Sequence, residues 1–341
     1  MHTRTGIPNG RGGRAFDAAG ASGLTFLASQ LELINYDLVK PMQDVTHPRD
    51  ITIEFGGGFA EYVSSWASNY ATTGGNQYGL QGTSNTDIPL VNVDVQKGVW
   101  KAFNWASSMV LTYIDLERMK TAQTFGTAPP FSLQELMEEA VQSVWLKGMD
   151  RVTYLGWLGQ PGIVNNPTVP EFTVTGGTWA TKLQPAGAGP AAVLTDINRA
   201  LNQTVINSGY NIQEGMANRM LLPYSEFSLL TQPMSLNGVG GFDSILQYVK
   251  RNCVATQAGI DFDIFPLPND WIAGQGVGPS DRAVVYKNNK KSLYMKVPVP
   301  MQRAMTVPTT RDGGAYETIF NGCIGVPMFL RSTTAVYMDG I

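Results

Sequence analysis

The chain has 341 residues, a net charge of −3 and a charged fraction of only 15%, against the roughly 25% usual for soluble domains. That length fits one elaborate domain or two intertwined ones with ample buried surface. With no run of eighteen apolar residues, no apolar core at the N-terminus, and two distant cysteines, Cys253 and Cys323, the expectations exclude a membrane span, a signal peptide and a disulfide framework. A reduced, soluble, cytoplasmic setting is expected instead. A surface poor in charge and rich in Gly, Ser, Thr, Asn and Gln points to extensive contact with other protein.

Residues 1–23 carry Arg4, Arg11 and Arg14 among glycines and small residues, a composition that cannot bury enough surface to fold alone. They read as an arm. Leu24, Leu27, Leu31, Ile34 and Leu38 recur at helical spacing until Pro41, which places a short amphipathic helix on that arm. Ile51, Ile53 and Phe55 alternate as a half-buried strand, and Gly56, Gly57 and Gly58 then bend the chain outward. Residues 61–63 and 66–70 read as strand, followed by TTGGNQYGLQGTSNT at 72–86. That stretch has no charge, and only Tyr78 and Leu80 are large. The return limb reads as strand from about 89 to 114, with Val99, Lys101, Phe103, Trp105, Ser107, Met109, Leu111 and Tyr113 on one face and Trp100 and Val110 on the other.

Asp115 is the expected cap of a short helix ending near Gly126. Ser132 and Glu135 spell the S-x-x-E capping box, in which serine oxygen and glutamate carboxylate satisfy first-turn amides. Helical spacing from Leu133 to Leu155 predicts a helix of ~24 residues, about 36 Å long and twice the average. Leu136 and Val144 are expected on its packed side. Gly156 to Pro170 reads as a turn region. Beyond it come a helix over about 190–208, a buried strand at Met220–Pro223, a short helix at Ser225–Leu230 and a helix at Asp243–Arg251. Strands are expected at Phe262–Leu267, Arg282–Lys287 and Ser292–Val299, and the end RSTTAVYMDGI reads as a closing strand rejoining the region begun at residue 50. No internal repeat is visible.

Signals for catalysis are weak. His2 and His47 are the only imidazoles, one in the arm and the other beside Pro48, and both read as polar loop residues. FGGGF at 55–59 lacks the Lys-Ser/Thr of a phosphate loop and opens no helix, so its glycines read as a hinge. Asp261 and Asp263 share a strand face without the glycine-bearing loop of a calcium site. Glu138 and Glu139 read as the outward side of the long helix. No GxSxG, HExxH or helix-opening GxGxxG is present, so no catalytic residue, cofactor or metal is expected.

The order of parts is more specific than any motif: arm with helix, strand, long excursion with a glycine-rich tip, long helix, α/β body, returning strands. This order resembles the major capsid proteins of tailed phages, the Hong Kong 97-type fold, over nearly the whole chain. SSMVLTYIDLERMKTAQ at 107–123, DRVTYLGWLGQPGIVNNP at 150–167, NRMLLPYSEFSLL at 218–230 and the terminal AVYMDGI are also similar to one subgroup of phage capsids. The resemblance implies an α+β fold divided into an N-terminal arm (1–49), a P-domain strand with the E-loop excursion (50–114), a P-domain with its spine helix at about 132–155 (115–170), an A-domain (171–290) and returning strands of both domains (291–341).

The implied function is a major capsid protein of a tailed double-stranded DNA phage or prophage. It would self-assemble as hexamers and pentamers into an icosahedral virion shell, built in the host bacterial cytoplasm around nonspecifically held DNA. Scaffold, portal and decoration proteins are the further partners such shells use. On this reading Tyr70, Gly74, Gly75, Tyr78, Leu80 and Leu90 of the E-loop meet neighbouring subunits. Glycines at 74, 75, 79 and 82 would let one loop bend differently around six or five subunits. Ser132, Glu135, Leu136 and Val144 belong to the spine helix, and Arg4, Arg11 and Arg14 face DNA. An encapsulin-like shell holding an enzyme cargo, and more distantly a cytosolic α/β hydrolase, remain as alternatives. The namesake of the fold joins an E-loop lysine to an asparagine of another subunit. Here no Lys or Arg lies between Arg49 and Lys97, so a shell held without covalent links is expected.

Overall fold

The computed structural model describes residues 41–42, 44–73, 90–124, 132–236, 239–310 and 314–341. The arm arginines Arg4, Arg11 and Arg14, the helix expected over 24–38, and Gly74, Gly75, Tyr78 and Leu80 of the excursion tip lie outside these residues.

A helical turn, α1 (His47–Asp50), leads into β1 (Thr52–Phe55). Gly56, Gly57 and Gly58 follow with φ of 110°, 129° and 73°, a left-handed run that residues with a Cβ avoid. They turn the chain out into β2 (Tyr62–Thr73), which pairs antiparallel with the outer half of β3 (Leu90–Thr112). At the inner end of β3 the chain enters α2 (Tyr113–Thr124). The cap there is Thr112 rather than Asp115: the threonine Oγ1 accepts the Asp115 N–H at 3.2 Å and donates to Asp115 Oδ2 at 2.6 Å. Asp115 is therefore the residue whose N–H is capped, and its carboxylate accepts from the hydroxyl of the capping threonine.

The long helix, α3 (Leu133–Leu155), has 23 residues. Ser132 occupies its N-cap position with extended backbone, but its side chain makes no capping bond, so the expected Ser132–Glu135 box does not form. Packing fixes the helix instead. Val141, Trp145, Met149 and Val152 form its buried ridge at spacings of four, four and three residues, one face of a 3.6-residue helix. Trp145 meets Trp105 of β3 edge-to-face, with centroids 5.1 Å apart and planes at 77°. It also lies against Gly322, where an added Cβ would come 2.5 Å from the indole, so only glycine leaves room for it.

Gly156 to Pro170 contains a small hairpin, β4 (Gly156–Trp157) with β5 (Gln160–Pro161). Next come β6 (Glu171–Thr173), α4 (Pro190–Asn207), β7 (Arg219–Pro223), α5 (Tyr224–Leu230), the ribbon β8 (Pro233–Leu236) with β9 (Val239–Ser244), and α6 (Ile245–Asn252). The chain ends in β10 (Asp263–Leu267), β11 (Arg282–Tyr286), β12 (Leu293–Val297), β13 (Val299–Thr309), β14 (Ala315–Gly325), β15 (Pro327–Phe329) and β16 (Ala335–Asp339).

These strands make a five-stranded sheet ordered β10-β7-β11-β16-β6, a four-stranded sheet β13-β14-β3-β2 and a three-stranded sheet β1-β12-β15. The five-stranded sheet is the wall between two cores. Met220, Leu222, Ala283, Val285 and Met338 face one core with α4 and α6, while Leu221, Val284, Tyr286 and Tyr337 face the other with α3. Burial on both faces explains why these strands read as unbroken apolar runs.

Several expectations are corrected. The closing strand β16 does not rejoin residue 50; it pairs with β11 and β6, because its alternate residues are shared between the two cores. The strand that pairs with β1 is β12, in parallel. Along β3 the buried side also changes. Ala102 packs with Val299 and Cys323, whereas Met109 packs with Val141 of the long helix, and Val99 is exposed. A single continuous face fails because only the inner half of β3 lies over the helix. The long hairpin β13–β14, which carries β3 into a sheet, has no distinct sequence signal, since Pro300 and Pro308 interrupt its pattern.

Candidate functional site

The hairpin β2–β3 projects from the four-stranded sheet, and one of its faces is apolar. Cross-strand partners Trp66 and Lys97, Tyr62 and Lys101, and Ser64 and Val99 share that face with Val91, Val93 and Val95, since side chains alternate along a strand. Tyr62, Trp66, Val91, Val93, Val95 and Val99 are each more than half exposed. Lys97 lies over the Trp66 ring at 5.6 Å. Among the described residues nothing else covers this stripe. Contiguous apolar surface of this kind marks a place where other protein sits.

The hairpin is held on a rigid base by a buried polar cluster that joins the start of the described chain to the long helix. His47 N–H donates to Asp150 Oδ1 at 2.9 Å, and His47 Nδ1 lies 2.5 Å from the same oxygen. Arg49 grips the Asp50 carboxylate with Nε at 2.6 Å and Nη2 at 2.9 Å. Tyr154 OH donates to Asp50 Oδ2 at 2.6 Å, and Tyr286 OH donates to the Asp50 carbonyl at 2.5 Å. Burial first, and the Asp50 charge second, hold both phenols far above their ordinary range, so both remain donors. His47 is therefore no loop residue but a buried member of this cluster, a role invisible locally because its partner is 103 positions away.

A second clamp fixes the turn region after the helix. Arg282 binds Asp339 through Nε at 2.7 Å and Nη2 at 2.9 Å, reaches Glu171 at 2.7 Å and the Val164 carbonyl at 3.1 Å, and stacks over Tyr337 at 4.3 Å. Within the turn, Asn165 accepts from the Gly162 N–H and donates to the Leu155 carbonyl, Asn166 N–H donates to Tyr337 OH, and Asn166 Oδ1 accepts from the Thr168 N–H. The Ile-Val-Asn-Asn-Pro segment at 163–167 thus serves as the latch between helix and sheet.

Of the residues expected to meet neighbours, Tyr70 lies in β2 opposite Val93, and Leu90 opens β3 with its side chain exposed. On the long helix Glu135 is exposed and Leu136 half-buried. Val144 is 53% exposed, which corrects its placement on the packed side: it lies about 100° around the helix from Trp145. Asp263, the first residue of β10, pairs with Lys250 at 3.0 Å, a structural contact. Among the described residues no group of three or more His, Cys, Asp or Glu is placed to hold a metal, and no helix is long and apolar enough to cross a membrane.

A model of the major capsid protein family matches residues 77–341. The chain belongs to that family. The fold of this capsid protein is likewise that of tailed-phage capsids. Its structure is similar to the capsid protein of the Myoviridae phage XM1, with 15% identity, 92% of this chain and 98% of that chain covered, and a TM-score of 0.69. It is also similar to the capsid of an empty GTA particle, with 6% identity, 94% and 97% covered and a TM-score of 0.58. The third likeness is to Microbacterium phage Oxtober96, with 14% identity, 94% and 97% covered and a TM-score of 0.57. No curated protein sequence matches the capsid protein significantly. The α+β capsid architecture accommodates the projecting hairpin, the long helix and the sheet-walled body as parts of one structural subunit.

Proposed function

We propose that this subunit assembles through hexamers and pentamers into the icosahedral virion shell of a tailed double-stranded DNA phage or prophage, built in the bacterial cytoplasm. The observation that carries the reading is the exposed apolar face of the β2–β3 hairpin, with Trp66, Val91, Val93, Val95 and Val99. A two-stranded ribbon is marginal by itself in water. Laid on a second copy, it gains burial at about 25 cal/mol per Å². Tyr70, Leu90 and the tip residues Gly74, Gly75, Tyr78 and Leu80 extend that overlap, and the long helix acts as the strut that holds its angle. Repeated interfaces of this kind close by symmetry into a shell.

Negative-stain microscopy of the expressed chain tests the reading, with extraction of the particle contents. Closed shells or capsomers, and long duplex DNA in particles from infected cells, are the expected results. A chain that stays monomeric at high concentration, with or without a scaffold protein, overturns it, and a protein cargo in place of DNA transfers it to an enzyme-holding shell.

A further inference from the structure

One surface of the subunit departs from the charge of the whole. Lys287, Lys290, Lys291 and Lys296, on β12 and the segment leading into it, gather with Arg331 around two carboxylates. Lys290 Nζ lies 2.9 Å from Glu54 Oε1, and Lys296 acts on the same carboxylate. Lys291 and Arg331 reach Glu214 at 3.4 Å and 3.0 Å. Lys287 Nζ donates to the Gln213 carbonyl at 3.1 Å and feels the Glu214 charge. Five cations thus share two carboxylates, an excess of three positive charges in a chain of net charge −3. The Lys290 and Lys291 side chains are 61% and 67% exposed, so their pairs are screened and readily exchange partners.

We propose that this patch is a contact for the phosphates of duplex DNA, and therefore that it lies on the genome-facing side of the shell; the inference rests on the capsid reading above. The residue types fit that partner better than a neighbouring subunit. Protein interfaces are depleted in lysine, whereas lysine binds phosphate as a compact point charge without reading sequence. The magnitude also fits a container that must release its contents. From Leu293 to Lys296 the strand β12 advances about 10 Å at 3.3 Å per residue, a length over which a duplex presents about six phosphate charges. Three net cations hold such a surface weakly and reversibly.

The test compares the wild-type chain with a Lys290→Gln, Lys291→Gln, Lys296→Gln triple variant and with the corresponding triple Lys→Arg variant. Binding of a 30-base-pair duplex to the unassembled full-length chain is followed by fluorescence anisotropy across a sodium chloride series. Each phosphate contact contributes about 0.9 to the slope of log K against log salt. The glutamine variant should therefore lose roughly 2 to 3 in slope, and the arginine variant should keep the wild-type slope. On closed shells offered the same duplex from outside, the glutamine changes should make no difference. An unchanged slope overturns the proposal, as does loss of assembly with the slope intact, which would place the patch between subunits. An equal effect on closed shells overturns the genome-facing assignment. Microscopy of the wild type reports on the capsid reading separately, since the slope is measured whether or not shells appear.

Discussion

His47 Nδ1 stands 2.5 Å from Asp150 Oδ1, with neither side chain more than 2% exposed. This contact locks the segment entering β1 onto the long helix, and Asp150 also receives the His47 N–H. Asp150→Ala would leave these donors buried without an acceptor, at a cost of about 3 kcal/mol. Asp150→Asn keeps one acceptor oxygen and should cost less. Thermal melting of the unassembled chain should rank wild type above Asn above Ala; equal midpoints for all three would show that the lock adds nothing.

Val144 and Val141 offer a contrast on one helix. Val141→Asp places a charge in the buried ridge and should cost several kcal/mol. Val144→Asp faces outward and should change the melting of the unassembled chain by no more than about 0.5 kcal/mol. If Val144→Asp nevertheless blocks shell formation in the microscope, the exposed side of the helix meets a neighbour.

Deletion of residues 72–86, with β2 and β3 joined by a short turn, should leave a folded subunit that forms no stable shell. The apolar face of the hairpin has no cover from the rest of the described chain, so its worth lies in assembly. Circular dichroism and sedimentation separate the two effects. A melted subunit, or normal shells, would contradict the assignment.

Glu226 is 8% exposed, and its Oε2 has no hydrogen-bond partner. Burial first and the Asp281 charge second raise its pKa from an ordinary value near 4.5. The unfolded chain therefore releases this proton before the folded one does, and stability falls as pH climbs from about 4.5 through the raised value. Glu226→Gln should remove that fall, so the variant should gain on the wild type as pH rises from about 4.5 towards 7. Paired melting curves across that range check it; a constant difference would count against a titrating Glu226.

Mature particles boiled in detergent should run as a single band near 37 kDa. Lys97 and Lys101 are the first cations after Arg49, and the ladder holds them opposite Trp66 and Tyr62 on the described hairpin. A chain of linked multimers on the gel would mean that one of these amines reaches an asparagine of another subunit.

Local pattern was a good guide wherever one residue's neighbours in sequence decide its structure. The long helix, α4 over Pro190–Asn207 and the strand at Arg219–Pro223 follow from helical spacing and apolar runs. Pattern failed where distant partners decide. Ser132 reads as a cap but forms none, while Thr112, read as strand, caps the next helix. The Asp150 and Asp50 clusters join residues more than a hundred positions apart, and no local signal marks them. Val144 has helical spacing, but it lies about 100° around the helix from Trp145 and so off the buried ridge. The basic patch was equally hidden, because Arg331 and Glu214 join the 287–296 lysines only through the fold.

The long strand changes partners midway. β2 pairs with residues 90–101 of β3 and β14 with residues 102–112, on opposite edges. At Lys101 and Ala102 the load passes from one ladder to the other, at the place where the buried face also switches. Narrow ribbons twist more than wide sheets, so this exchange is the softest point between projection and body. A change in the angle of the hairpin would be taken up there, because the pairs on either side belong to different ladders. In the proposed shell, one covalent structure would meet different curvatures at that joint, and its stiffness would bear on how far the shell yields to pressure from within.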